Sequence, residues 1–326
     1  MREIRFREAL REALQEEMRL DDNVFLMGEE VAEYNGAYKV SQGMLDEFGA
    51  KRIIDTPIAE LGFTGIAVGA SMNGVRPIVE FMTWNFAVLA MDQIVNCAAK
   101  MLQMSGGQFS CPIVFRGPNG SAGQLAATHS QSFEAAYANI PGLKVISVSN
   151  PYDAKGLLKS AIRDDDPIVF MESEVMYGDL GEVPEEEYLI PIGKAKIVRE
   201  GNDVTIVSFN KMMKVAYEAA DELAKDGITA EVIDLRTIRP IDYDALVNSV
   251  KKTNRMVVID ENWPLGSIAS EIAYVMQKHA FDYLDAPVQR ICQADVPLAY
   301  SPTLIDASLP NAKRVIQAVK DVMYVS

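Results

Sequence analysis

Residues 52–81 read RIIDTPIAELGFTGIAVGASMNGVRPIVEF. The apolar run 52–55 ends at Asp55, a stretch of small and apolar residues follows, and a second apolar run covers 76–81. Strand, helix, strand is the repeating unit of a parallel sheet. Thr56 and Pro57 look like a helix start, with Thr56 as the cap, Pro57 at the first helical position and Glu60 in the first turn. The helix dipole favours a carboxylate there by a few tenths to about 1 kcal/mol. That role does not exclude a second one, because Glu60 is the one acid at the mouth of a segment that otherwise reads as buried. Gly65 and Gly69 are spaced to let another helix approach closely, within the chain or across an interface.

The same alternation continues on both sides. Helical periodicity over 3–20 places Phe6, Leu10, Ala13, Leu14 and Met18 on one face. Strands are predicted at 24–28, 111–117, 144–150 and 167–173, and helices at 90–107 and 153–163. Most of the strands read as apolar runs rather than alternating patterns, which argues for a parallel sheet covered on both faces. Residues 178–194, GDLGEVPEEEYLIPIG with its flanks, are rich in Gly, Pro and Glu and read as a linker. The alternation then restarts, with strands at 203–209, 229–235, 255–260 and 287–292 and helices at 212–226, 242–252, 266–280 and 310–323. The expected fold is α/β, with two domains that each hold a mainly parallel sheet flanked by helices. The boundaries are 1–180, a linker at 181–198, and 199–326.

A length of 326 residues suits two domains. The net charge of −15 comes with no basic block, which argues against binding to nucleic-acid phosphates and suits solubility or a basic protein partner. Cys97, Cys111 and Cys292 are widely spaced, so neither a zinc ribbon nor a disulfide framework is expected. The longest apolar runs stop well short of the ~20 residues that cross a membrane. No presequence is visible, which fits a bacterial cytoplasm, or a mitochondrial matrix or plastid after removal of one. A P-loop, G-x-G-x-x-G, HExxH and G-x-S-x-G are all missing. The histidines are His129 and His279. His279 sits late in an amphipathic helix, at the surface. His129 lies in a loop beyond a strand, where α/β folds place ligands. Phe81, Met82, Trp84 and Phe86 supply core packing, or an apolar wall for a flat heterocyclic ring.

The runs DTPIAELGFTGIAVG, EFMTWNFA, MDQIVNCAAKMLQMSGGQ, FRGPNG, THSQSFEA and DLRTIRPID resemble the beta subunits of the thiamine-diphosphate-dependent 2-oxo acid dehydrogenases, over nearly the whole chain. FRGPNG and MSGGQ look more like the pyruvate enzymes than the branched-chain ones, and an acetoin dehydrogenase beta subunit is the other alternative in the class. The resemblance implies a pyrimidine-binding domain followed by a transketolase C-terminal-like domain. It implies oxidative decarboxylation of pyruvate and reductive acetylation of lipoyl groups, by a tetramer of two alpha and two beta chains. By the same resemblance Glu60 hydrogen-bonds the aminopyrimidine of thiamine diphosphate, and Met82 and Phe86 pack on that ring. His129 faces the reacting substrate and helps pass the acyl group to lipoamide. Glu29 and Asp92 match acids of a polar tunnel between active sites. Ile113, Ala161, Ile162, Asp164 and Asp166 match a potassium site. Asp285 matches an aspartate that docks the acetyltransferase core. The Gly-Asp-Gly motif that holds magnesium and diphosphate is missing, and it belongs to the alpha subunit. The chain is therefore expected to carry half a cofactor site. An assembly subunit without catalysis is the reading from another class.

Overall fold

A computed structural model describes residues 1–325. The chain forms two compact units, Met1–Asn119 with Ala136–Ile192, and Gly120–Ala135 with Gly193–Ser326.

In the first unit the strands lie side by side in the order Lys144–Ser147, Ile168–Glu172, Val114–Pro118, Arg76–Glu80, Val24–Gly28 and Ile53–Asp55. All are parallel, as the unbroken apolar runs predict. From Val24–Gly28 the chain moves outward to Ile53–Asp55, then crosses back to Arg76–Glu80 and continues the other way. The sheet thus changes direction between Val24–Gly28 and Arg76–Glu80, and a crevice opens at such a switch beyond the carboxyl ends of the strands. Gly28 is required there. A Cβ on it would sit 2.4 Å from the Glu80 carbonyl oxygen of the neighbouring strand.

One face of the sheet carries the helices Phe6–Leu20 and Pro151–Arg163. Phe6, Leu10, Leu14, Leu157 and Leu158 bury there against Leu26, Ile78 and Val114. Lys155 and Lys159 are fully buried between these helices. Lys155 Nζ lies 2.6 Å from Glu16 Oε1, and Lys159 Nζ lies 2.6 Å from Glu16 Oε2. Arg2–Arg5 is a strand rather than the start of the first helix. It pairs antiparallel with Leu180–Val183, within the stretch read as a linker.

Two local expectations fail. The helix after Asp55 begins at Glu60 with Ala59 at its cap, and Thr56 caps nothing. Thr56 N donates instead to the Gly28 carbonyl at 3.0 Å, which holds the residue extended beside the strand. The single helix expected over 90–107 is broken into a 3-10 turn Val88–Ala90, a π-helix Gln93–Ala98 and a short helix Met101–Met104. The widened turn has close neighbours on two sides. Gln93 Oε1 lies 3.2 Å from where a Cβ on Gly65 would be, and a Cβ on Gly142 would fall 1.9 Å from the Ala99 carbonyl oxygen.

The second unit has the strand order Gln289–Cys292, Met256–Asp260, Val204–Ser208, Ala230–Asp234, Lys196–Arg199, parallel except for the last. Met212–Lys225 and Ala312–Met323 cover one face, with Met213, Ala216, Leu223, Val315 and Val319 buried. The segment Gly120–Ala135 folds with this unit although it lies far from it in sequence.

Candidate active site

The crevice at the strand switch is lined by acids. Glu29 follows the strand Val24–Gly28 directly, and Glu60 opens the helix Glu60–Ser71. Their relative exposures are 5% and 4%, so both carboxyls are out of bulk water. They lie close enough for the Glu60 charge to act on Glu29, and a like charge beside a buried carboxyl favours its protonated form. Burial, and then the Glu60 charge and hydrogen bond, push the Glu29 carboxyl up to about 7. Glu29 Oε1 has no hydrogen-bond partner, and neither do the buried hydroxyls of Thr56 and Thr64. Thr56 closes the strand beside Glu29, and Thr64 sits one turn along the helix from Glu60. Unsatisfied polar atoms at a buried acid pair are what a polar ring would complete, so these residues fit the pyrimidine end of thiamine diphosphate.

The aromatic run after Arg76–Glu80 divides in two. Phe81 and Trp84 are buried, Phe81 against Phe63 at 5.9 Å between centroids and Trp84 against Tyr137 at 4.9 Å. Met82 and Phe86 stay half-buried at the same end of the sheet as Glu29. The core reading holds for the first two, and the other two remain available to a ligand.

Beneath the strand ends lies a network that the sequence reading missed. Arg116 is 1% exposed. Its Nε and Nη2 reach Glu172 Oε1 and Oε2 at 2.7 and 2.5 Å, and its Nη1 bonds Glu80. Tyr177 OH donates to Glu172 Oε2 at 2.7 Å. Burial raises the Glu80 carboxyl, and the Glu172 charge adds to that against the pull of Arg116. An arginine inside the apolar run CPIVFRG was the available signal, since a cation there demands buried acids.

His129 is half-buried, in the 3-10 turn Ala127–His129 of the second unit. Its Nδ1 lies 2.9 Å from Thr128 Oγ1. Asp92 is exposed and accepts from Asn96 Nδ2 at 2.7 Å.

The family models divide the chain near the same point but keep residues 120–135, which carry His129, with the first domain. Residues 2–179 match the transketolase pyrimidine-binding domain, and residues 193–315 match the transketolase C-terminal domain. The chain is 56% identical over 324 residues to "Pyruvate dehydrogenase E1 component subunit beta" of Rickettsia felis, covering 99% of each. It is 54% identical over 325 residues to the mitochondrial subunit of that name from Dictyostelium discoideum, covering 98% of this chain and 91% of the relative. This chain belongs to the pyruvate dehydrogenase E1 beta-subunit family. Its fold is also that of a split-gene transketolase described as an inactive beta4 tetramer, with a TM-score of 0.82 at 23% identity and 99% of each chain covered.

Other positions matched by this E1 beta family resemblance are engaged within the chain. The Ile162 and Asp164 carbonyls accept from Arg76 Nη1 at 3.2 and 2.9 Å. Ile113 O accepts from Ile168 N at 2.9 Å, and Ala161 O from Asp164 N at 3.3 Å. Lys144 Nζ lies 2.6 Å from Asp164 Oδ2 and 3.0 Å from Asp166 Oδ2. A guanidinium thus holds two of the carbonyls that a potassium ion would use, Ile162 and Asp164, while the Ile113 and Ala161 carbonyls each accept one backbone N–H. Asp285 Oδ2 lies 3.1 Å from Arg255 Nη2, at the edge of a surface groove of about 420 Å³ that also takes in Phe281, Leu284 and Pro287.

The acid pair has a consequence for pH. The Glu29 pKa is raised, so the folded chain keeps a proton that the unfolded chain has already lost between about pH 4.5 and 7. This group's contribution to stability therefore falls as pH rises through that window and is flat above it. Glu29→Gln is expected to remove that slope, so melting temperatures of parent and variant diverge towards high pH in the variant's favour. Parallel melting curves over pH 5–8 would contradict the raised Glu29 pKa.

Proposed function

We propose that this chain is the beta subunit of a thiamine-diphosphate-dependent pyruvate dehydrogenase that works only with an alpha subunit, in a tetramer of two alpha and two beta chains. The observation that carries the reading is the buried Glu29–Glu60 pair at the strand switch of a pyrimidine-binding domain. Bound thiamine diphosphate supplies the electron sink for breaking the bond between the carboxylate and the carbonyl carbon. Glu60 holds a proton against a ring nitrogen of the aminopyrimidine and lets it move during the cycle. Its burial keeps that proton in a dry site, where its position is set by the partner and not by water. Glu29 returns or accepts the proton, because its raised pKa lies close to the working range. Met82 and Phe86 orient the ring. His129 serves transfer of the acyl group to lipoyl groups of the acetyltransferase core. Asp92 extends the acid path towards the second site of the tetramer. Asp285 contributes to docking of the core.

Magnesium and the diphosphate belong to the alpha chain in this reading. The helix that carries Glu60 supports a missing partner. Ile58 and Ile66 beside its glycines are 84% and 67% exposed, and nothing lies within 4 Å of a Cβ built on Gly69. Potassium takes no part in the steps above. The kinship of the relatives fits a bacterial cytoplasm or a mitochondrial matrix.

Calorimetric titration of magnesium thiamine diphosphate tests the split site. No heat with this chain alone and tight binding after co-purification with an alpha subunit are expected. Tight binding to the isolated chain would overturn the half-site. On the tetramer, faster turnover of 2-oxoisovalerate than of pyruvate would move the substrate to the branched-chain class.

A further inference from the structure

The loop that carries His129 is held by a buried ion pair that the reading above does not use. The neighbouring parallel strands Val204–Ser208 and Met256–Asp260 deliver Lys211 and Glu261 beyond their carboxyl ends. The two side chains are 6% and 8% exposed, and Lys211 Nζ lies 2.8 Å from Glu261 Oε1. Both close on Ser121. Its N–H donates to Glu261 Oε1 at 2.6 Å, while Lys211 Nζ donates to Ser121 Oγ at 2.7 Å and to the Ser121 carbonyl. The ammonium's three protons are thereby all used. Gly120 completes the grip. Its φ is +78°, and a Cβ there would meet Glu261 Oε2 at 2.7 Å. Gly120 N also donates to the Gln131 carbonyl at 3.0 Å, which ties the two ends of the loop together. Between these ends the turn bends at Ala126, with φ +65°, and presents His129.

A buried ion pair is a poor source of stability, since apolar residues of similar size commonly do as well. What it supplies is geometry, and here the geometry is that of one loop. We propose that Lys211 and Glu261 are positioning residues for acyl transfer, acting as a clamp that fixes the His129 loop. The proposal rests on the acyl-transfer role of His129 given above.

The test uses the assembled tetramer with the double variant Lys211→Met, Glu261→Met, which removes the clamp without leaving a charge buried alone. Three quantities are measured: hydrogen exchange over residues 120–131, pyruvate oxidation with hexacyanoferrate as acceptor, and acetylation of a free lipoyl domain. Loss of positioning is expected to lower lipoyl acetylation roughly tenfold or more, with hexacyanoferrate-linked oxidation within about two-fold of the parent. Exchange over 120–131 is expected to accelerate by a similar factor. Lys211→Arg, which keeps the charge, is expected to retain most lipoyl acetylation. Unchanged exchange over 120–131 would overturn the clamp, as would an equal fall of both partial reactions. His129→Ala is measured alongside. Normal lipoyl acetylation in that variant, with the loop loosened by the double variant, would overturn the role of His129 and with it the link from clamp to acyl transfer.

Discussion

Glu60→Gln is expected to lower turnover of the assembled enzyme by roughly a hundred- to ten-thousand-fold, the range for losing a positioned general acid–base group. Glutamine keeps the size and a hydrogen bond, so the helix Glu60–Ser71 still forms and its apolar face is unchanged. What disappears is a carboxyl that exchanges its proton. The variant also takes the Glu60 charge away from Glu29, which leaves burial, the largest cause of the Glu29 shift, in place. The measurement is pyruvate-dependent acetylation of a lipoyl domain, with sedimentation to show that the tetramer persists. A loss below about three-fold with assembly intact is too small for a proton-transfer role and would favour the non-catalytic reading.

Arg116→Met is expected to cost about 3–5 kcal/mol of stability, the range for removing one partner of a buried charge pair. Glu80 and Glu172 are 5% and 0% exposed, and without the guanidinium their charges face each other in the sheet. The sign of the pH effect follows from that. Uncompensated carboxylates have raised pKa values in the folded chain, so acidification protonates them and restores stability as pH falls. Glu80 is raised even beside Arg116. The melting temperature of Arg116→Met is thus expected to lie closest to the parent near pH 5 and furthest from it near pH 8. A gap that widens on acidification would mean that the carboxyls are not the source of the loss. The parent's arginine supports the site indirectly, because Glu80 ends the strand whose carbonyl packs on Gly28, next to Glu29.

Much of the architecture was legible because it rests on local pattern. The runs at 24–28, 111–117 and 167–173 are mostly apolar rather than alternating, as strands covered on both faces are. Glu60 stood out for the same reason, as an acid in an apolar setting. The explanation offered by local rules, a Thr56 cap, was wrong. Helix capping is decided by where the backbone leaves the strand, and the Gly28 carbonyl holds Thr56 extended. The break at 88–104 was equally hidden; the segment packs closely on Gly65 and Gly142, neither of which is a neighbour in sequence.

The sequence by itself determined the class of fold, the order of elements and the identity of the acids. These follow from hydrophobic periodicity and residue chemistry, which are properties of short segments. Only the tertiary structure decided which acids meet. Glu29 and Glu60 act on each other because two strands and a helix bring them together out of bulk water. Asp92, just as acidic in sequence, lies exposed on this chain and accepts from Asn96. The His129 loop was legible as a loop but not as part of the second unit, because Lys211 and Glu261 hold it across long sequence separations. Burial and proximity set those energies, and both are properties of the folded chain.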